Sequence, residues 1–356
     1  MDRDPCAVRF RVSAKGARGN LTALMNLGLI CENKSRFEPS SGDPEDLNSE
    51  LLSIAEEDEL LSGFRDAGHE VILIPGTRDL LKRLGYWRSH CELVFNESTG
   101  YRGNQNGLLA PAILEAAGIP YVGSAPYVHG LVRDKYHAKL VIGARADVPT
   151  PSAVLVEGGT GEPRGLAKLV YPAIVKPVRE SSSAGIEAGK SVVPDAPAAL
   201  ARAQEIIRRY RQPALVETFI RGAEIEVPVL LDPAPRPLGA VAITLGGHVV
   251  SGDEYLTTST VYSDDYGFAD RPAGIDLERV LAAAARAAAV LGLRDYGRID
   301  FRVADDGTPW FIEADTLPHI QRHSSFYMLA RRRGLAYHQM LDELIAVALN
   351  RYRGYH

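Results

Sequence analysis

The chain has 356 residues, 46% hydrophobic and 24% charged, with Lys+Arg 40 against Asp+Glu 45 for a formal charge of −5. That composition excludes a disordered or fibrous chain, and the charge balance advertises neither a nucleic-acid nor an acidic-membrane partner. Cys6, Cys31 and Cys91 are odd in number and lack a C-x-x-C pair, which excludes a disulfide framework and fits a reducing, cytoplasmic setting.

The basic residues Arg3, Arg9, Arg11, Lys15 and Arg18 precede an apolar run from Leu21 to Cys31, in the manner of a signal peptide. Glu32-Asn33-Lys34 stand where a cleavage site would, so residues 1–20 read as a loose extension and the run as a first buried strand. No stretch reaches the roughly 18–20 apolar residues of a membrane span. Strands follow at 71–74, 93–95 and 119–122, alternating with helical spacing at Leu47, Leu51, Ile54, Leu61 and Phe64 and again over 108–117. This alternation predicts an α/β, Rossmann-like parallel-sheet domain over 1–125. A helix from 133 to 142 and the linker Val148-Pro149-Thr150-Pro151 introduce a second unit, 126–221. It has strands at 154–156, 173–176 and 214–217, a helix at 198–210 and a Ser/Gly loop at 181–185. The third unit, 222–356, is α+β: strand-rich at first, with a polar loop over 252–271, an alanine-rich helix between Asp276 and Gly292, and a helical end.

Residues 297–315 carry the most chemistry. Arg298-Ile299-Asp300-Phe301-Arg302-Val303 and Trp310-Phe311-Ile312-Glu313-Ala314-Asp315 alternate polar and apolar around Asp306-Gly307. A two-residue turn there sets Asp300 across from Glu313 and Arg298 across from Asp315. Ile299, Phe301, Val303, Trp310, Ile312 and Ala314 then share the core face. Opposed carboxylates repel. Two readings fit: a solvated face diluted by Arg298 and Arg302, or three carboxylates around a hard divalent cation such as Mg²⁺.

Lys176 ends an otherwise apolar strand, and Arg179-Glu180-Ser181-Ser182-Ser183-Ala184-Gly185 offers the hydroxyls and backbone N–H groups that wrap phosphates. Glu217 at a strand end and Glu224 seven residues later could serve an adenine amino group and a ribose; surface glutamates are the alternative.

Taken in order, these residues resemble the D-alanine–D-alanine ligase branch of the ATP-grasp superfamily. The likeness runs through Val94-Phe95-Asn96, Pro111 to Ser124, Asp134-Lys135, Val175-Lys176-Pro177 and Val216-Glu217. It continues through Gly222-Ala223-Glu224, Gly297 to Asp300 and Ile312 to Pro318. The resemblance implies a three-domain ATP-grasp fold and an ATP-dependent carboxylate–amine ligase passing through an acyl phosphate. It implies Lys135 and Lys176 on the ATP phosphates, with Glu180, Ser181, Ser182 and Ser183 in the loop that closes over them. Ser182 and Arg298 would act at the reacting centre, Arg298 on the oxyanion. Glu217, Phe219 and Ile220 would hold adenine and Glu224 the ribose. Asp300, Glu313 and Asp315 would ligate two Mg²⁺ (or Mn²⁺) ions. Ser324 and Ser325 would grip a substrate carboxylate, and Arg322, Tyr262 and His319 would line the acceptor side. A homodimer built on the N-terminal region is also implied.

The chain departs from the family where substrate is held. Asp315 replaces the usual Asn, and residues 20–38 lack the ammonium-reading glutamate. The pocket His is missing around 100–106, Val261-Tyr262 replaces a Lys-Tyr pair, and His319 replaces a Gly. These departures point away from D-alanine toward an amino acid joined to another carboxylate, as in natural-product assembly or the finishing of mycosporine-like amino acids. Cell-wall D-alanine–D-alanine synthesis, phosphorylation without ligation and a non-catalytic ATP-binding protein are the competing readings.

Overall fold

A computed structural model describes residues 21–354 except 101–105, 159–162, 164 and 271. The expected N-terminal extension and part of the segment expected to lack the pocket His therefore lie outside the described residues.

Three sheets organise the chain. The first has four parallel strands, with Asn26–Cys31 between Glu70–Ile74 and Leu93–Glu97, and Tyr121–Val122 at the edge. The second is antiparallel, with Ala173–Pro177 and Ala214–Thr218 at its centre. The third has seven strands, and Asp295–Val303 lies between Ala223–Leu231 and Pro309–Asp315. Leu27, Leu29 and Phe95 share a core with Tyr296, Leu341 and Ile345, so the C-terminal helix Tyr337–Gly354 belongs to the packing of the first sheet. Helices Pro126–Arg133 and Lys135–Arg145 bury Val128, Val132, Ala138 and Ile142 against the seven-stranded sheet. Residues 126–145 thus pack with the third unit rather than with the sheet they precede. Among the described residues no helix is long and apolar enough to cross a membrane.

Two sequence expectations need correction. The helix expected from Leu47 begins at Ile54, where Ser53 accepts from the N–H of Glu56 and the Glu56 carboxylate accepts from the N–H of Ser53. That reciprocal cap is a stronger start signal than the apolar spacing upstream of it. The polar segment 252–271 is not a plain loop: it carries a short helix, Thr258–Tyr262, and a strand, Gly267–Asp270, paired with Val241–Leu245.

The carboxylate hairpin has the expected pairs for a different reason. Asp300 does face Glu313, and Arg298 faces Asp315. Near the turn, however, Val303 faces Pro309 and Phe301 faces Phe311, a register one residue shorter. The turn is a wider loop closed by Ala304 and Thr308, with Gly307 at φ 78°. A bulge between Asp300 and Phe301 restores the register, so the two offsets cancel. The bulge also changes the faces: Phe311 is buried in the core, whereas Trp310 is only half-buried and Ile312 lines the cavity described next.

Candidate active site

A solvent-open cleft, about 1260 Å³ with the solvent at its mouth included, lies between the second and third sheets. Lys135, Lys176, Glu180, Ser181, Ser182 and Ser183 line one side of it, and Glu217, Phe219, Ile220 and Glu224 another. Arg298, Asp300, Glu313, Asp315 and His319 form the floor. Thus residues that lie up to 184 positions apart in sequence meet in one place.

The lysines come from a helix and a strand that the sequence places independently. Asp134 caps helix Lys135–Arg145 by accepting from the N–H of His137, which fixes Lys135 at its first position. Lys135 Nζ pairs with Glu313 at 3.1 Å and donates to the Glu180 carbonyl. Lys176, on the buried strand, pairs with Glu217 at 2.6 Å. One turn along the helix Lys139, buried, pairs with the other Glu217 oxygen at 3.2 Å and donates to the Phe311 and Ile312 carbonyls. Sequence reasoning missed Lys139, although its spacing of four from Lys135 sets both on one helix face. Burial would raise Glu217, but Lys139 and Lys176 outweigh it and hold the carboxyl below its ordinary range. Burial pushes Lys139 down to about 8. Glu217, expected to meet adenine, is therefore engaged with two lysines.

Arg298 makes a bidentate bond to Asp300 at 2.7 and 2.8 Å, with Glu226 at 3.6 Å and Asp315 at 3.9 Å. Burial, joined by Glu226 and Glu313, pushes Asp300 up to about 8 even against Arg298. Burial works the same way on Glu313, but Lys135, Lys176 and Arg298 outweigh it and bring that carboxyl down to about 2. Among the described residues Asp300, Glu313, Asp315 and Glu226 pair within 4 Å only with Arg298 and Lys135, a surplus of oxygen donors that suits a divalent metal. The donors are hard carboxylate oxygens, and two come from directly opposed residues, which fits Mg²⁺ better than a softer ion. Among the described residues no three such groups converge closely enough to hold an ion. Arg298 and Lys135 occupy the carboxylates instead.

The loop over the cavity is held from outside. Ser182 and Ser183 adopt φ of 52° and 55°, a left-handed conformation that costs about 1–3 kcal/mol per non-glycine residue and persists only where neighbours over-determine it. Two carboxylates from the 38–52 segment supply that constraint. Glu50 accepts from the N–H and hydroxyl of Ser181 and pairs with Arg133 at 2.7 Å. Asp46 accepts from the Gly185 N–H at 2.9 Å and from the Tyr210 hydroxyl. Neither carboxylate carried a sequence signal, because its partner lies more than 130 residues away. Asp46→Asn weakens this tie, and amide exchange across 181–186 should rise about tenfold, the worth of one charge-assisted bond; unchanged protection by mass spectrometry would exclude the role.

Other expected residues are placed differently. Glu224 pairs with Arg302 at 2.7 Å, and Arg302 also donates to the Gly222 and Gly252 carbonyls and stacks 4.9 Å over Phe219. Ser324 caps helix Ser325–Arg332 and donates to the Gln321 carbonyl, and Ser325 is buried beside it. Neither lines the cavity. Arg322 lies over Tyr337, and Tyr262 is 63% exposed. Tyr255 and Tyr266 line the cavity where Tyr262 was expected. The assignment of Ser324, Ser325, Arg322 and Tyr262 to substrate therefore has no support in their placement.

A second cavity, about 890 Å³, adjoins the first and shares Lys135, Ser181, Ser182, Glu313, Asp315 and His319 with it. Glu97, His129 and Gln321 line it and not the first. The larger cavity thus adds Lys176, Arg298 and Asp300, whereas Glu313 and Asp315 border both.

A family model described as D-ala D-ala ligase C-terminus matches residues 162–346. An uncharacterised protein of Sinorhizobium fredii, y4sG, is 31% identical over 312 residues, which span 83% of this chain and 88% of y4sG. A D-alanine–D-alanine ligase of Nitrosospira multiformis is 31% identical over 277 residues, 76% of this chain and 82% of its own. A crystal structure of the D-alanine–D-alanine ligase of Bacillus anthracis complexed with ATP superposes with a TM-score of 0.69 at 21% identity. It covers 93% of this chain and 100% of its own, and at that identity it speaks for the fold.

Proposed function

The chain belongs to the D-alanine–D-alanine ligase family of ATP-grasp carbon–nitrogen ligases, and we propose that it joins a carboxylate to an amine through an acyl phosphate, releasing ADP and phosphate. The observation that carries this reading is the border between the two cavities. Lys176, Arg298 and Asp300 line the larger cavity, Glu97, His129 and Gln321 the smaller one, and Lys135, Ser181, Ser182, Glu313 and Asp315 line both. ATP would occupy the larger cavity with its phosphates toward Lys135 and Lys176. Asp300, Glu313 and Asp315 would hold Mg²⁺, which when bound neutralises phosphate charge that would otherwise repel an incoming carboxylate.

The chain's own residues do the rest. Lys176, oriented by Glu217, keeps a fixed positive charge in a dry setting where it acts strongly on phosphate oxygens. Lys135, paired with Glu313 here, would be free to meet the phosphates where Glu313 holds Mg²⁺. Arg298, part-buried and always charged, would meet the oxyanion that develops when the amine adds to the acyl carbon. The loop held by Glu50 and Asp46 excludes water from the activated carboxyl.

The substrate is proposed to be other than D-alanine. Support comes from the second cavity, where Glu97, His129 and Gln321 are polar and Ser324 and Ser325 are turned to structural work. Within residues 20–38, Glu32 is buried but accepts from Thr77, Ser98 and Gly100, and lines neither cavity. The test is phosphate release from ATP and Mg²⁺ across paired carboxylates and amino acids of both hands, with mass spectrometry of products. ADP with a new amide supports ligation. AMP removes the acyl-phosphate route, ADP without amide indicates phosphorylation alone, and D-alanyl-D-alanine as the preferred product removes the substrate proposal.

A further inference from the structure

The second cavity contains polar groups that the described residues leave unmatched. Glu97, 7% exposed at the end of strand Leu93–Glu97, accepts from the Tyr296 hydroxyl through Oε1 at 2.6 Å. Among the described residues its other oxygen accepts nothing. Gln321 and His129, 3% and 4% exposed, each have an Nε2 with no partner among the described residues. His129 Nδ1 is engaged with the Thr316 hydroxyl at 2.8 Å. Buried polar groups without partners are costly, and orphans clustered around one space mark what that space is built to receive.

Charge distinguishes Glu97 from its neighbours. Glu50 has Arg133, Glu313 has Lys135, and Asp315 has Arg298 at a longer distance. Glu97 is the one carboxylate lining this cavity without a cation among the described residues. Burial and nearby Asp315 push its carboxyl up to about 8, a penalty that an incoming positive charge would remove. A methyl side chain could satisfy none of these groups.

We propose that Glu97 is the specificity-determining carboxylate of this cavity, receiving a cationic nitrogen of the substrate, while Gln321 and His129 meet its remaining polar atoms. The proposal rests on the ligase reading and narrows it to a substrate that bears an amine. The nitrogen comes from an α-ammonium or from a side chain, and three probes separate these sources: propionate, alanine and 2,3-diaminopropionate, the chiral ones in both hands.

Each is titrated by calorimetry into the enzyme loaded with ADP and Mg²⁺. An amine-bearing probe should bind at least about tenfold tighter than propionate, the worth of one buried charged hydrogen bond. Alanine alone suffices for an α-ammonium; a further gain with diaminopropionate identifies a side-chain amine. Glu97→Gln keeps an acceptor for Tyr296 and removes the charge, so the preference should fall to within about twofold while ADP affinity is unchanged. Glu97→Asp should restore part of it. The proposal is overturned if no amine-bearing probe outdoes propionate, or if Glu97→Gln retains the preference. These are binding results, so they stand apart from the product analysis that decides the ligase reading.

Discussion

Arg298→Ala loses ~10²–10³-fold in turnover, the usual effect of removing one preorganised oxyanion donor, and keeps nucleotide affinity within about threefold. The split follows from position. Arg298 reaches Asp300, Glu226 and Asp315, and nothing in its contacts ties it to the lysines or to the Ser181–Gly185 loop. On the proposed reading it meets the oxyanion rather than the nucleotide, so its loss should appear in kcat rather than in the KM for ATP. A second consequence is structural: Asp300 and Glu226 lose their cation in a buried setting, and breaking such a pair costs about 3–5 kcal/mol. Arg298→Lys separates the two effects. It keeps the charge but not the fork that grips both oxygens of Asp300. Stability should recover while turnover stays low. Phosphate release, ADP titration and thermal melts on the three proteins read these outcomes. Near-normal turnover in Arg298→Ala would remove the residue from the mechanism.

The contrast between Arg298 and Glu217 shows what was legible in the sequence. Strand–helix alternation and the dipeptide punctuation at Asp306-Gly307 are local signals, and they located the parallel sheet and the carboxylate pairing. Even there the pairing of Asp300 with Glu313 emerged from a wider turn and a compensating bulge, neither of which leaves a mark in the residue pattern. Consequently the face of Ile312 was misread, because period-2 alternation fails across a bulge. The loop ties at Asp46 and Glu50, the buried Lys139 and the Glu97–Tyr296 bond depend on segments brought together only by the fold. A glutamate at a strand end reads the same in sequence whether it faces adenine or a pair of lysines. Burial and partners separate the two.

Glu217→Gln should raise the KM for ATP more than tenfold and also lower stability, and the two effects are separable. Glu217 holds Lys176 at 2.6 Å and Lys139 at 3.2 Å, all three buried. Removing its charge leaves two lysines facing each other with only the more distant Glu313 and, for Lys176, Glu224 to offset them, a loss of up to about 3–5 kcal/mol if both stay protonated. They need not. Lys139 sits at about 8 already, and without Glu217 it falls further and sheds its proton near neutrality. The sign follows from linkage. A lysine whose folded value is depressed binds fewer protons folded than unfolded, so stability rises with pH through that range. In the variant the range extends to lower pH than in the wild type. The melting gap between them should therefore be widest near pH 6 and narrow toward pH 9. Adding Lys139→Met removes one unpaired charge and should recover much of the melting temperature at pH 6. It should not recover the KM for ATP if Lys176 meets the phosphates as proposed, because Lys176 still lacks the carboxylate that orients it. If the double variant regains ATP affinity together with stability, Glu217 serves packing alone and Lys176 does not depend on it for orientation.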